Sequence, residues 1–181
     1  MRSSPLKSGS AMKVIFLDVD GVLNDDATFQ QNFILWKTLN QREKANAQLQ
    51  PHLIERLRCL VLETSAGIVI SSSWRRTAWR LEALQERLRI EGMPILGCTP
   101  FASEAADILG LPYGMSSYPG RDIEIEAWLR KHPEVTHYVI FDDQDIHTHG
   151  RKSPVHEHWI RTVEALGLTD ADIEKAKKWL K

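Results

Sequence analysis

Cysteine is scarce, with only Cys59 and Cys98 in 181 residues. Both sit in apolar contexts with no paired spacing. That excludes a disulfide framework and a thiolate zinc module, and predicts buried thiols in a reducing, cytoplasmic compartment. Long hydrophobic runs are also absent. No segment approaches the ~20 apolar residues that a membrane-spanning helix needs, so no membrane partner is expected. Residues 1–12 lack the apolar core of a signal peptide, and their Ser, Gly and Pro content reads as a flexible leader. Excess charge of one sign is missing too. A formal net charge of -1 gives no global basic field for nucleic acid or anionic lipid, although a local basic patch stays open. There is no internal repeat and no low-complexity segment. What is present is a 43% hydrophobic fraction, enough to build a core, in a length that suits one domain over residues 13–181.

The chain is organised around Val14 to Asn24, VIFLDVDGVLN. Four apolar residues end abruptly at Asp18, and a second carboxylate follows at Asp20. A short apolar run closed by a polar turn is how a strand buried on both faces reads in sequence. Gly21 lets the chain turn where a Cβ would clash. Open parallel sheets bind ligands at the carboxyl ends of their strands, so position and residue type point the same way.

Further strands are expected at Ile68–Ile70, ending in Ser71, Ser72 and Ser73, at Ile95–Cys98, and at His137–Phe141, ending in Asp142 and Asp143. Helices are expected over Pro51–Ala66, with Gly67 as its stop, over Arg75–Glu91, from Gly120 through Lys131, from about Trp159, and over Thr169–Leu180. Thr169 with Asp172 resembles a capping box. The alternation of strand and helix predicts an α/β fold, a Rossmann-like parallel sheet with helices on both faces.

If the first and fourth strands are neighbours, four carboxylates converge. Two carboxylates ~4 Å apart repel by roughly 4 kcal/mol at an effective dielectric of 20. Several such pairs call for a cation. Oxygen ligands without His or Cys favour a hard ion, Mg2+ first.

The segments FLDVDGVL, IVISSSW, GRDIEIEAWL and YVIFDDQDI resemble, in this order, a haloacid-dehalogenase-type (HAD) phosphohydrolase. The SSSWR, GR..EI..WL and DD segments are also similar to a narrower group, the HAD domains of "Swiss Army knife" RNA repair proteins. The resemblance implies Asp18 as nucleophile, forming an aspartyl-phosphate, and Asp20 as the acid that protonates the leaving group and then activates water. It implies Mg2+ held by Asp18, the backbone carbonyl of Asp20, and Asp142 or Asp143. It places Ser71, with Ser72 as second choice, on the transferring phosphoryl group, and Arg121 where the family usually carries lysine. Arginine is a planar fork rather than a compact ammonium, so its geometry is expected to differ.

The gaps Asp25–Gln50 and Phe101–Pro119 are too short for a separate domain, so no large cap is expected. An open site suits a large phosphorylated substrate, with RNA or DNA ends leading by resemblance. Trp74 is expected in the core and Arg75, Arg76 and Arg80 on a solvated helix face. The His147–His158 segment, with His149 and His156, is expected to be a solvated loop. Two other functions use the same residues: a metal-dependent nuclease acting on diesters, and a non-catalytic binding module.

Overall fold

A computed structural model describes residues 11–25, 37–111, 120–148 and 150–181. Its frame is a five-stranded parallel sheet. The strands are β1 (Met12–Leu17), β2 (Gly67–Ile70), β3 (Ile95–Cys98), β4 (Val135–Asp142) and β5 (Trp159–Arg161), in the order β3-β2-β1-β4-β5. The helices are α1 (Gln41–Gln48), α2 (Pro51–Thr64), α3 (Ala78–Ile90), α4 (Ala102–Leu109), α5 (Arg121–Lys131) and α6 (Asp170–Trp179).

β1 explains why the sheet is covered on both sides. Successive side chains of a strand point to opposite faces. Ile15 and Leu17 pack with Leu53, Ile54 and Leu57 of α2, Leu84 and Leu88 of α3, and Ile173 and Ala176 of α6. Val14 and Phe16 face the other way, onto Ile125 and Trp128 of α5. Phe16 meets Trp128 edge to face, with ring centroids 5.4 Å apart. With both faces sealed, the strand has no polar position from Val14 until it leaves the sheet at Asp18.

Register then fixes which residues meet. Leu17 is level with Ile70 on one side and Phe141 on the other. The next residue of each strand is therefore Asp18, Ser71 or Asp142, side by side at the carboxyl edge. The backbone stitches this row directly: Asp18 N–H donates to Phe141 O at 3.0 Å and Ser71 N–H to Leu17 O at 2.8 Å.

Several elements differ from the sequence expectations. The segment from Trp159 is a strand, not a helix. Ile160 pairs with Phe141, so the edge of β4 gains a partner that three residues are too short to announce. The helix predicted from Arg75 is broken: Ser73–Arg76 form a 3-10 turn, Thr77 is extended, and α3 begins at Ala78. The stop of α2 is Ser65 in the left-handed region (φ 58°), and Gly67 is already in β2. The gap after β1 contains α1, whose N-terminus has a capping box from Asn40 and Glu43 that sequence reading did not anticipate. The gap after β3 contains α4, which packs Ala105 against Ile123 and Ala127 of α5. The other parts of those gaps, 26–36 and 112–119, and most of the proposed leader lie outside the described residues. The capping box of Thr169 and Asp172 is formed as expected. Cys59 is exposed and Cys98 half-buried, so the expectation of two buried thiols is corrected; Cys59 lies on the outer side of α2. No helix among the described residues is long and apolar enough to cross a membrane.

Candidate active site

The strand ends build the site. Asp18, Asp142 and Asp143 are all buried, and each offers a carboxylate oxygen within 4.8 Å of the others. Burial raises the Asp18 pKa above its usual value, with Arg121 the main opposing influence. Asp142 is pushed up to about 8, first by burial and then by the charge of Asp18, again opposed by Arg121. Left alone, Asp18 and Asp142 would be drawn towards their protonated forms.

Arg121 is the cation that stands against it. One nitrogen, Nη1, lies 2.8 Å from Asp18 Oδ2 and 2.8 Å from Asp142 Oδ2. The same nitrogen donates to the carbonyl oxygen of Ser71. Burial works against the guanidinium charge, but Asp18 and Asp142 outweigh it and hold the pKa above the ordinary arginine value. Arg121 reaches this point because it opens α5, after Gly120. The Asp122 N–H donates to Ile146 O at 3.0 Å, which docks that helix end on the chain leaving β4.

Arg121 does not satisfy the whole cluster. Asp18 Oδ1 and Asp143 Oδ1 are buried without a hydrogen-bond partner. A buried carboxylate oxygen with no donor is costly. Such oxygen donors fit a hard divalent cation, so the residues present suit the ion that the sequence implied.

The two serines separate. Ser72 Oγ accepts from Trp74 N–H at 3.2 Å and caps the 3-10 turn. Ser71 Oγ is buried with no hydrogen-bond partner. Ser71, level with Asp18, is therefore the serine whose hydroxyl has no partner, while the Ser72 hydroxyl also bears on Asp18 and favours its charged form.

Asp20 stands apart from the buried trio and is partly exposed. Its Oδ1 accepts from Asn24 Nδ2 at 2.9 Å and from Trp74 Nε1 at 3.0 Å. Asn24 Oδ1 in turn accepts from Gly21 N–H at 2.8 Å, closing the turn after β1. Gly21 has φ 66°, and a Cβ there would lie 2.6 Å from Asp143 Cγ. Backbone conformation and the approach of Asp143 both require glycine.

The roles of Asn24 and Trp74 on Asp20 were missed in the sequence. Asn24 lay inside the opening segment, and its spacing from Gly21 was the available signal. Trp74 is fully buried in the core as expected, but its ring N–H is spent on Asp20. Arg75 is not solvated: it forms a 2.6 Å ion pair with Glu124 of α5, with side-chain exposures of 4% and 8%. It also donates to Ser72 O at 2.7 Å, tying the serine loop to α5.

The histidine segment is a second correction. His156 Nε2 lies 2.9 Å from Oδ2 of the fully buried Asp122, and Thr148 Oγ1 donates to Oδ1 of the same carboxylate. His158 Nδ1 lies 3.0 Å from Tyr138 O. These side chains anchor the segment to α5 and β4, while His147 pairs with exposed Asp145. His149 lies outside the described residues.

Fold and site together define a haloacid-dehalogenase-like hydrolase domain. The match is also narrower than that. Residues 14–173 match the model of the HAD domain in Swiss Army Knife RNA repair proteins, and the chain belongs to that family. Among solved structures, it is similar to a haloacid dehalogenase-like family hydrolase from Streptococcus pneumoniae, at 15% identity and a TM-score of 0.43. That similarity covers 94% of this chain and 92% of the other. No curated protein matches the chain.

Proposed function

We propose that this protein is a magnesium-dependent phosphate monoesterase acting through an aspartyl-phosphate. One observation carries the reading: within the buried trio of Asp18, Asp142 and Asp143, Asp18 and Asp142 share a single guanidinium, while Asp20 stands outside the group, free of that ion pair. Two carboxylates in different surroundings can take different roles.

Asp18 is the nucleophile. Its carboxylate attacks phosphorus and the bond to the leaving oxygen breaks. Asp20 gives that oxygen a proton. Asp20 then takes a proton from a water molecule, which attacks the aspartyl-phosphate and frees Asp18 and inorganic phosphate. Ser71 donates a hydrogen bond from its hydroxyl to a phosphoryl oxygen, and Arg121 offsets the charge on phosphate and nucleophile. Asp18, Asp142, Asp143 and the carbonyl of Asp20 would hold Mg2+, which supplies charge neutralisation at the phosphoryl group.

The substrate class in this reading is a phosphate on a macromolecule, RNA or DNA ends first. The family's description as part of RNA repair proteins supports it. The unpaired thiols fit a cytoplasmic setting.

The test is hydrolysis of an aryl phosphate with Mg2+, with chelator, and with Asp18→Asn. Metal-dependent turnover that the variant loses supports the chemistry. A panel of 3′- and 5′-phosphorylated oligonucleotides and sugar phosphates then tests the substrate class. Cleavage of diesters that survives Asp18→Asn would contradict the monoesterase reading.

A further inference from the structure

Asp20 is held in an asymmetric way. Both of its neutral N–H partners, Asn24 Nδ2 and Trp74 Nε1, donate to the same oxygen, Oδ1. An oxygen receiving two N–H groups acts as the acceptor of the carboxyl and is the wrong place for its proton. The proton of the acid form therefore belongs on Oδ2. The two donors reach Asp20 from different parts of the fold. Asn24 is local and fixed by Gly21 N–H. Trp74 is 54 residues away in sequence, is fully buried, and packs in the same core as Leu17, Leu84 and Leu88. Its backbone is pinned as well, because its N–H donates to Ser72 Oγ. The core thus fixes the indole, and the indole fixes the carboxyl.

We infer that Trp74 is a positioning residue for proton transfer. Its ring N–H, with Asn24, commits Asp20 Oδ1 to accepting and directs Oδ2 to the leaving oxygen. Trp74 does not touch substrate. It acts through Asp20, and the inference rests on the acid role proposed for that residue.

The consequence appears in the leaving group. A good leaving group such as dinitrophenolate departs without a proton, whereas an alkoxide needs one. The quantity kcat/KM reports the step in which the leaving group departs, because that step is the first irreversible one. Loss of general acid catalysis therefore falls on alkyl phosphates and spares activated aryl phosphates. A loosened fold or a weakened metal site would depress both alike.

The experiment compares kcat/KM for a primary alkyl phosphate and for dinitrophenyl phosphate, both with saturating Mg2+. The proteins are the wild type, Asp20→Asn, Trp74→Phe, and a protein carrying benzothienylalanine at position 74. The last keeps the bicyclic shape and removes only the N–H, so it remains informative if Trp74→Phe packs poorly. General acid catalysis is typically worth 10²–10⁴-fold, which sets the loss expected of Asp20→Asn on the alkyl substrate. One lost hydrogen bond to the acid should cost about tenfold there, and less than about threefold on the aryl substrate. A loss that is equal on both substrates, or absent, at position 74 while Asp20→Asn discriminates between them would overturn the inference alone. An Asp20→Asn that does not discriminate would overturn the acid role itself, and the inference with it.

Discussion

Replacing Gly21 with alanine tests how the turn after β1 and the metal-binding edge share space. Two costs combine. The first is conformational: φ is 66°, and left-handed backbone costs a residue with a Cβ about 1–2 kcal/mol. The second is steric: the Cβ would sit 2.6 Å from Asp143 Cγ. Asp143 cannot yield easily. Its carbonyl accepts from Arg161 Nε at 3.0 Å and its Oδ2 from Gln144 Nε2 at 2.6 Å. Gly21 cannot retreat either, because its carbonyl accepts from Thr162 Oγ1 at 2.8 Å. Overpacking of this kind costs about 1–3 kcal/mol, so the sum is about 2–5 kcal/mol. Gly92 supplies the comparison. It has φ 74° and nothing within 4 Å of a built Cβ, so Gly92→Ala isolates the conformational cost. Urea unfolding of both variants should show Gly21→Ala less stable than Gly92→Ala by about 1–3 kcal/mol at unchanged m-value. The Mg2+ concentration needed for half-maximal activity should rise only in Gly21→Ala, because the clash falls on the carboxylate side chain of Asp143. Equal destabilisation, with an unaltered metal requirement, would refute the crowding argument.

Stability without metal should fall as pH rises from about 4 to about 8. The Asp142 pKa is raised from 3.8 to about 8, so across this window the folded state binds more protons than the unfolded state. A difference of one proton gives a slope of at most about 1.4 kcal/mol per pH unit, with stability decreasing as pH increases. Mg2+ should stabilise more at pH 8 than at pH 5, and Asp142→Asn should flatten the slope; chemical denaturation across pH reads both. Arg75→Met should cost about 3–5 kcal/mol by leaving the buried Glu124 unpaired, and Arg75→Met with Glu124→Leu should recover most of that loss. A double variant no more stable than the single one would contradict this account of the pair. Asp172→Ala removes the side chain that receives the Thr169 hydroxyl and amide, and should lower stability by about 1 kcal/mol in a thermal melt.

The legible part of the sequence was the part that depends on strands ending. VIFL, IVI and the VIF of β4 are buried on both faces, so their polarity pattern alone marked where Asp18, Ser71 and Asp142 leave the sheet. Equal register did the rest. What stayed hidden depends on direction and partnership. A tryptophan in an apolar context reads as core, and Trp74 is core, but nothing in the pattern says where its N–H points. Three serines in a row are alike as letters; capping of the turn at Trp74 occupies one of them and leaves Ser71 free. β5 is three residues long and exists because β4 offers an open edge. His156 and Asp122 are 34 residues apart, so their pairing is invisible to a local reading and the segment passes for a solvated loop.

The central claim is that phosphate passes through Asp18. It is tested most directly by mixing the protein and Mg2+ with a 32P-labelled phosphate monoester, quenching in acid within milliseconds, and counting label on the protein. The account predicts label that hydroxylamine removes, as it does from an acyl phosphate, that unlabelled substrate chases into inorganic phosphate, and that Asp18→Asn does not acquire. Turnover with no label on the protein at any quench time, and with the label moving straight to phosphate, would contradict it.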